Sequence, residues 1–184
     1  MAIDSTLAVF ITAATTSPEE LNRAFLLIQE DSAVIDPEDR RWLLLTSKDL
    51  PSTPPEATAP PLPEIPSGRN AFAGMSLADI NVFVRAHQDA LDALEISALN
   101  WLVIDQKGLE TSTCLVCEQF YDIGNEDEGV QGRGLTDEFR ACRIPYEKAW
   151  SMMINLDIGN MGFVEWVDRA VGEQEDGSWK WMPF

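Results

Sequence analysis

The chain has 184 residues, 45% of them hydrophobic, which is enough for one domain with a real core. Its 31 acidic residues against 13 basic ones leave a net charge of −18. That field repels nucleic-acid phosphates and anionic membrane surfaces, so neither is expected as a partner, whereas a basic protein would be attracted; acidity that serves solubility alone is the plainer alternative.

The N-terminal run MAIDSTLAVFITAATTS has Asp4 and no basic residue ahead of its apolar stretch, so it reads as a first strand over Leu7 to Thr12 and not as a leader. A helix start follows. Ser17 can cap, Pro18 takes the first helical position, Glu20 completes the capping-box spacing, and Leu21, Ala24, Phe25 and Ile28 give one apolar face. Asp36 to Asp39 repeats the start signal more weakly. Arg41 to Thr46 (RWLLLT) reads as a second buried strand, with a short helix as the alternative.

Residues 51 to 66 hold seven of the eleven prolines, which rules out helix and sheet and predicts an extended, solvated loop that continues to Gly74. Pro60 and Pro63 have the spacing of a polyproline recognition ligand, a pattern too short to carry weight alone. Ser76 caps the clearest helix, expected from Leu77 to Ile96, with Leu77, Ile80, Val84, His87, Leu91 and Leu94 on one stripe. Leu99 to Asp105 reads as a central strand closed by a carboxylate, and Lys107-Gly108 as a turn. Thr111 to Tyr121 is a further strand. The Gly- and acid-rich stretch 122–136 is expected as a mobile loop, and Phe139 to Ile144 as the antiparallel partner beyond it. Pro145 opens a helix, Asn155 to Asn160 form a corner, and a second helix runs on toward Gly172. Ser178 to Trp181 supplies a last short strand after the Asp176-Gly177 turn. These elements predict one domain over residues 1–184, α/β or α+β, with a mixed central sheet of five or six strands and helices packed on it; their order does not resolve the topology.

Phe139-Arg140, the run Asn155 to Met161, and Asp176-Gly177-Ser178-Trp179 with the terminal Phe184 stand in an order and spacing similar to those of a small uncharacterised domain family of bacteria, notably actinobacteria, and of fungi. The resemblance covers about Leu99 to Phe184. It implies a compact mixed-sheet domain, and it carries no activity and no catalytic residue.

The candidate chemistry is sparse. Cys114 and Cys117 have the C-x-x-C spacing but lie inside an apolar strand, where residues three apart face opposite ways. Without a second such pair or a neighbouring histidine they read as strand cysteines, not as a metal or redox site. Three cysteines in all fit a reduced, cytoplasmic protein. Asp122, Asn125, Asp127 and Glu128 fail the spacing of a calcium loop, so no metal is expected. His87, the only histidine, sits on an apolar helix stripe, either as a core-boundary residue with one hydrogen bond or as a pocket base. Asp105 is either a turn cap or a functional carboxylate beyond a strand end, where open α/β sheets collect ligands. Asp157 is the third candidate acid, although a capping role competes with it. Trp101, Trp150 and Trp166 are candidate ligand-wall aromatics, with core packing as the alternative. No nucleotide or nucleophile-elbow motif is present, and no cofactor is expected. Two functions follow as expectations. The first is an acidic intracellular binding protein for a protein partner or a small apolar ligand. The second is a cofactor-free isomerase, cyclase or lyase that acts on an apolar molecule through acid/base groups in an aromatic pocket.

Overall fold

In the computed structural model, which describes residues 5–35, 41–65, 68–125 and 130–183, the first apolar run forms β1 (Thr6–Ile11). Alternation along it sends Leu7, Val9 and Ile11 to one face and Ala8 and Phe10 to the other, and all five are buried. The chain then enters α1 (Pro18–Ile35) through the expected capping box: Ser17 Oγ accepts the Glu20 amide at 3.2 Å, and Glu20 Oε2 accepts the Ser17 amide at 2.9 Å. Next comes β2 (Trp42–Leu45), parallel to β1.

After the proline-rich segment come α2 (Leu77–Ala86), α3 (Gln88–Ala93), β3 (Ile96–Ile104), the short α4 (Gln106–Thr111), β4 (Thr113–Asn125), β5 (Val130–Pro145), α5 (Ala149–Asp157) and β6 (Ser178–Lys180). The described residues form one mixed six-stranded sheet in the order β2-β1-β3-β4-β5-β6. β3 is parallel to β1, β4 is antiparallel to both β3 and β5, and β6 is parallel to β5. Helices cover both faces. α1 and α5 pack Leu21, Phe25, Ile28, Trp150 and Met153 against Val9, Leu102 and Val116. α2 and α3 pack Ile80, Phe83, Val84 and Leu91 against Phe10, Trp101 and Leu115 on the other face. The architecture is α/β, and none of its described helices is long and apolar enough to cross a membrane.

Four expectations are corrected. The helix expected over 77–96 breaks at His87 (φ −116°, ψ 14°) and ends at Leu94, because Glu95 takes a left-handed turn (φ 59°) and Ile96 and Ala98 are drawn into the sheet. The helix expected after the Asn corner is a single 3-10 turn, Phe163–Glu165. Beyond it Val167 bridges Trp181, and the Asp168 amide donates to the Lys180 carbonyl at 2.8 Å, so pairing with the chain end replaces helical bonds. Much of the loop expected over 122–136 is a hairpin, with Asp122 opposite Gly134 and Asn125 opposite Val130. Backbone pairing needs no apolar side chain, and it survives a Gly-rich sequence. Asp36 to Asp39, and Asp127 and Glu128 of the acidic cluster, lie outside the described residues.

The fourth correction concerns the proline-rich segment. It forms no helix or strand among its described residues, but it is a docked strap and not a solvated linker. The Thr58 amide donates to the Trp42 carbonyl at 2.7 Å, the Thr58 hydroxyl accepts the Leu44 amide at 2.8 Å, and Asn22 Oδ1 accepts the Leu62 amide at 2.6 Å. Leu62, between Pro60 and Pro63, is buried. Further on, Phe72 is fully buried, its ring edge-on to Phe10 at 4.9 Å and to Phe83 at 5.0 Å. Phe72→Ala should therefore lower stability by about 3–5 kcal/mol, read as a fall in the urea midpoint at constant m-value. A change below about 0.5 kcal/mol, the range of exposed positions, would return the segment to the status of a linker.

Candidate functional site

Two crossovers diverge at β1. From its carboxyl end the chain passes through α1, over one face, to β2; from β2 it returns by α2 and α3, over the opposite face, to β3 on the other side of β1. The carboxyl ends of β1 and β3 therefore flank a crevice that neither connection fills, the position where open α/β sheets bind ligands. A cleft of about 200 Å³ lies there. Thr12 enters it from the end of β1, Asp105 from the end of β3, Ser76 and Leu77 from the start of α2, and Arg143 from β5.

Asp105 caps α4 by accepting the Gly108 amide on Oδ1 at 2.7 Å. Gly108 has to be small, since a Cβ there would collide with the Thr113 carbonyl oxygen. The same carboxylate is clamped by Arg143, whose Nη1 donates to Oδ1 at 3.0 Å and Nη2 to Oδ2 at 2.6 Å. The two side chains are only 12% and 27% exposed, so the pair is well removed from solvent. Asp176, on the turn before β6, closes the cluster. Its Oδ2 lies 3.9 Å from Arg143 Nη2 and 3.3 Å from Lys107 Nζ. Burial alone would raise the Asp176 pKa, but hydrogen bonds from the Ser178 hydroxyl at 2.6 Å and amide at 3.0 Å, together with Lys107, hold it below the ordinary carboxylate range. Met75, Leu77 and Leu115 supply apolar wall, and the Ser76 hydroxyl is committed to Asp79 within the α2 cap. A second cleft of about 210 Å³ adjoins the Ala13 to Thr16 loop, between the same strand end and the docked strap.

The other sequence-derived candidates do not converge here. His87 lies at the far end of α2 from Ser76, about 16 Å away at 1.5 Å per residue. Its Nδ1 donates to the Phe83 carbonyl at 2.8 Å, and its ring rests 4.4 Å from that of Phe83. Asp157 ends α5, on the opposite face of the sheet. Trp101 is buried in the α2 face, whereas Trp150 and Trp166 are buried in the α5 face, so the sheet separates them as walls. Cys114 and Cys117 fall in opposite cores, as their spacing predicts. Burial raises the pKa of all three thiols, that of Cys142 to about 12, which leaves none as a thiolate at neutral pH. Among the described residues no group of three His, Cys, Asp or Glu side chains converges as metal ligands. Arg143 and Asp176 were the members missed. The only signal for Arg143 was a lone cation in the strand ACRIP, alternating onto the same face as Ala141 and Leu115.

Over residues 65–180 the chain matches a family model described as a domain of unknown function (DUF6924). The chain belongs to the DUF6924 family. The matched span starts earlier than the resemblance at Leu99 and takes in α2, Asp105, Arg143 and Asp176; β1 and Thr12 precede it. No curated protein and no solved structure matches the chain.

In this DUF6924 protein Asp105→Asn retains an acceptor for the Gly108 amide but strands the Arg143 charge. A stability loss of about 2–4 kcal/mol is expected in urea unfolding, against about 1 kcal/mol for a simple turn cap. Asp176 should act on the acid side. Because its folded pKa lies below the unfolded value, its stabilisation is present above that value and is lost as pH falls through the folded one. The Tm gap between the native protein and Asp176→Asn should hold above about pH 5 and shrink below about pH 4. A gap independent of pH would refute the assignment.

Proposed function

We propose that this DUF6924 protein is a small-ligand-binding protein whose site is the crevice beyond the carboxyl ends of β1 and β3. The observation that carries the reading is the Asp105–Arg143 pair, held at a topological switch point beside the apolar wall of Met75, Leu77 and Leu115. A ligand with a short apolar body against that wall and one polar end on the charged cluster suits the site. Its cleft of about 200 Å³ is smaller than the roughly 300–1,000 Å³ typical of drug-sized pockets, which favours a molecule of a few carbons.

Binding is favoured over acid–base catalysis by the state of the candidate groups. Both Asp105 oxygens are engaged by Arg143 and the Gly108 amide, and the His87 proton is held by a backbone carbonyl away from the cleft. The three buried, unbridged thiols suit a reducing compartment, in keeping with a cytoplasmic protein.

The test uses ¹⁵N-labelled protein titrated with alkyl carboxylates, alkylamines and alcohols of about three to six carbons, a size chosen for the cleft. At least one class should shift the amides of Thr12, Leu77, Asp105 and Leu115. Leu77→Trp, which plugs the cleft from a half-buried position, should abolish those shifts with little change in Tm. Shifts confined to other regions, or none at millimolar probe, would overturn the reading.

A further inference from the structure

β2 is an edge strand, so half of its backbone groups have no neighbouring strand to bond. The Leu7 amide donates to the Arg41 carbonyl at 2.6 Å, and Leu7 lies opposite Trp42 in a parallel register. The backbone groups of Leu43 and Leu45 are therefore turned to β1, while those of Trp42, Leu44 and Thr46 point outward. The docked strap takes several of these. Thr58 engages the Trp42 carbonyl and the Leu44 amide, and the Ala71 amide donates to the Thr46 carbonyl at 2.8 Å. Between those anchors the strap bows away from the edge toward α1, where the Leu62 amide reaches Asn22. The Leu44 carbonyl and the Thr46 amide are left without a partner among the described residues.

A cleft of about 390 Å³ opens at this gap, within the roughly 300–1,000 Å³ of small-molecule sites. Its apolar lining is the buried Leu62 with the half-buried Leu44 and Ile65, all three on the α1 face of the sheet. Arg69, exposed and without a carboxylate partner among the described residues, stands two residues before Ala71 and so at the Thr46 end. Glu64 is exposed at the same cleft. An acceptor and a donor two residues apart on a strand edge match the N–H and C=O of one residue laid parallel to β2, the pairing by which a sheet adds a strand. That sense carries the carboxyl side of the added residue toward Thr46 and Arg69. The acyl unit before it falls opposite Leu44, on the face of Leu62 and Ile65.

We propose that this cleft binds a small N-acylated amino acid with an apolar acyl chain and a free carboxylate. Its N–H donates to the Leu44 carbonyl, its carboxylate accepts from the Thr46 amide and Arg69, and its acyl chain lies against Leu62 and Ile65. Thr58 and Ala71 close the edge on either side, which suits one residue better than a running strand. The acidic field of the chain opposes an anion at range, but salt at physiological strength screens it over about 8 Å and leaves Arg69 to decide locally. This cleft shares no lining residue with the switch-point crevice, so either assignment can fail without the other.

The experiment titrates the ¹⁵N-labelled full chain with N-isovalerylglycine. The amides of Leu44, Thr46, Leu62 and Arg69 should shift, with the Thr46 proton moving downfield as it gains an acceptor. N-isovalerylsarcosine, whose N-methyl group removes the donor, should bind about tenfold more weakly, the scale of one lost hydrogen bond. Arg69→Gln, at an exposed position, should weaken N-isovalerylglycine by about two- to fivefold, the range of an exposed ion pair, whereas Glu64→Gln should not weaken it. Equal binding of the sarcosine analogue, equal losses in the two variants, shifts confined to other regions, or none at millimolar probe would overturn the site. N-acetyl-dialanyl-leucyl-glycine should bind within about fivefold of N-isovalerylglycine. A peptide tighter than that would overturn the small-molecule assignment in favour of a polypeptide terminus.

Discussion

A strand whose neighbours on both edges run parallel to it cannot be joined to them by short hairpins, and β1 is such a strand. Its residues alternate between two cores, and β2 and β3 lie parallel to it on either side. Parallel neighbours need crossovers, and two buried faces need cover, so α1 is committed to one face and α2 with α3 to the other. The divergence of those crossovers leaves the crevice at the carboxyl ends of β1 and β3. The candidate site is thus a consequence of where β1 sits, before any side chain is chosen to line it.

The Asp105–Arg143 pair ties that crevice to the remainder of the sheet. Asp105 ends the parallel half, whereas Arg143 belongs to β5, beyond the antiparallel β4. Withdrawing both charges from water costs several kcal/mol before their attraction is counted, so such a pair is weak evidence of net stabilisation. What it does fix is geometry. A bidentate guanidinium–carboxylate contact holds the end of β3, the first turn of α4 and the end of β5 in one arrangement. A ligand at the crevice would meet charges that are already oriented, which lowers the ordering cost of binding.

Local signals were legible because they are local. The Ser17–Glu20 and Ser76–Asp79 caps, the apolar runs of β1 and β3, and the opposite orientations of Cys114 and Cys117 follow from spacings of a few residues. Asp105 was visible as the first charge after an apolar strand, a position that served two readings, and the structure makes it a turn cap and a cleft residue at once. Arg143, 38 residues away, could not be assigned to it because the register of β3, β4 and β5 decides that contact. The break at His87 was hidden for a related reason. The apolar period continues across it, and only the demand of β1 for a partner at Ile96 ends the helix. The strap was misjudged because proline content reports missing amide donors, while Leu62 and Phe72 decide whether the segment docks.

Charge is arranged in the same layered way. Two guanidiniums, those of Arg140 and Arg143, are spent on Glu118 and Asp105 at half-buried positions along β5. With so few bases in the chain, this internal pairing leaves the outer acids with fewer partners than the overall ratio of charges suggests. The exterior is accordingly more one-signed than the whole, and a one-signed surface keeps copies of the chain apart while drawing in cations. Where such a surface also offers half-buried aromatic rings, attraction can become a located contact. Where it offers only solvated carboxylates, added salt screens it away. That difference, between a field and a site, separates the acidity that serves solubility from the acidity that selects a partner.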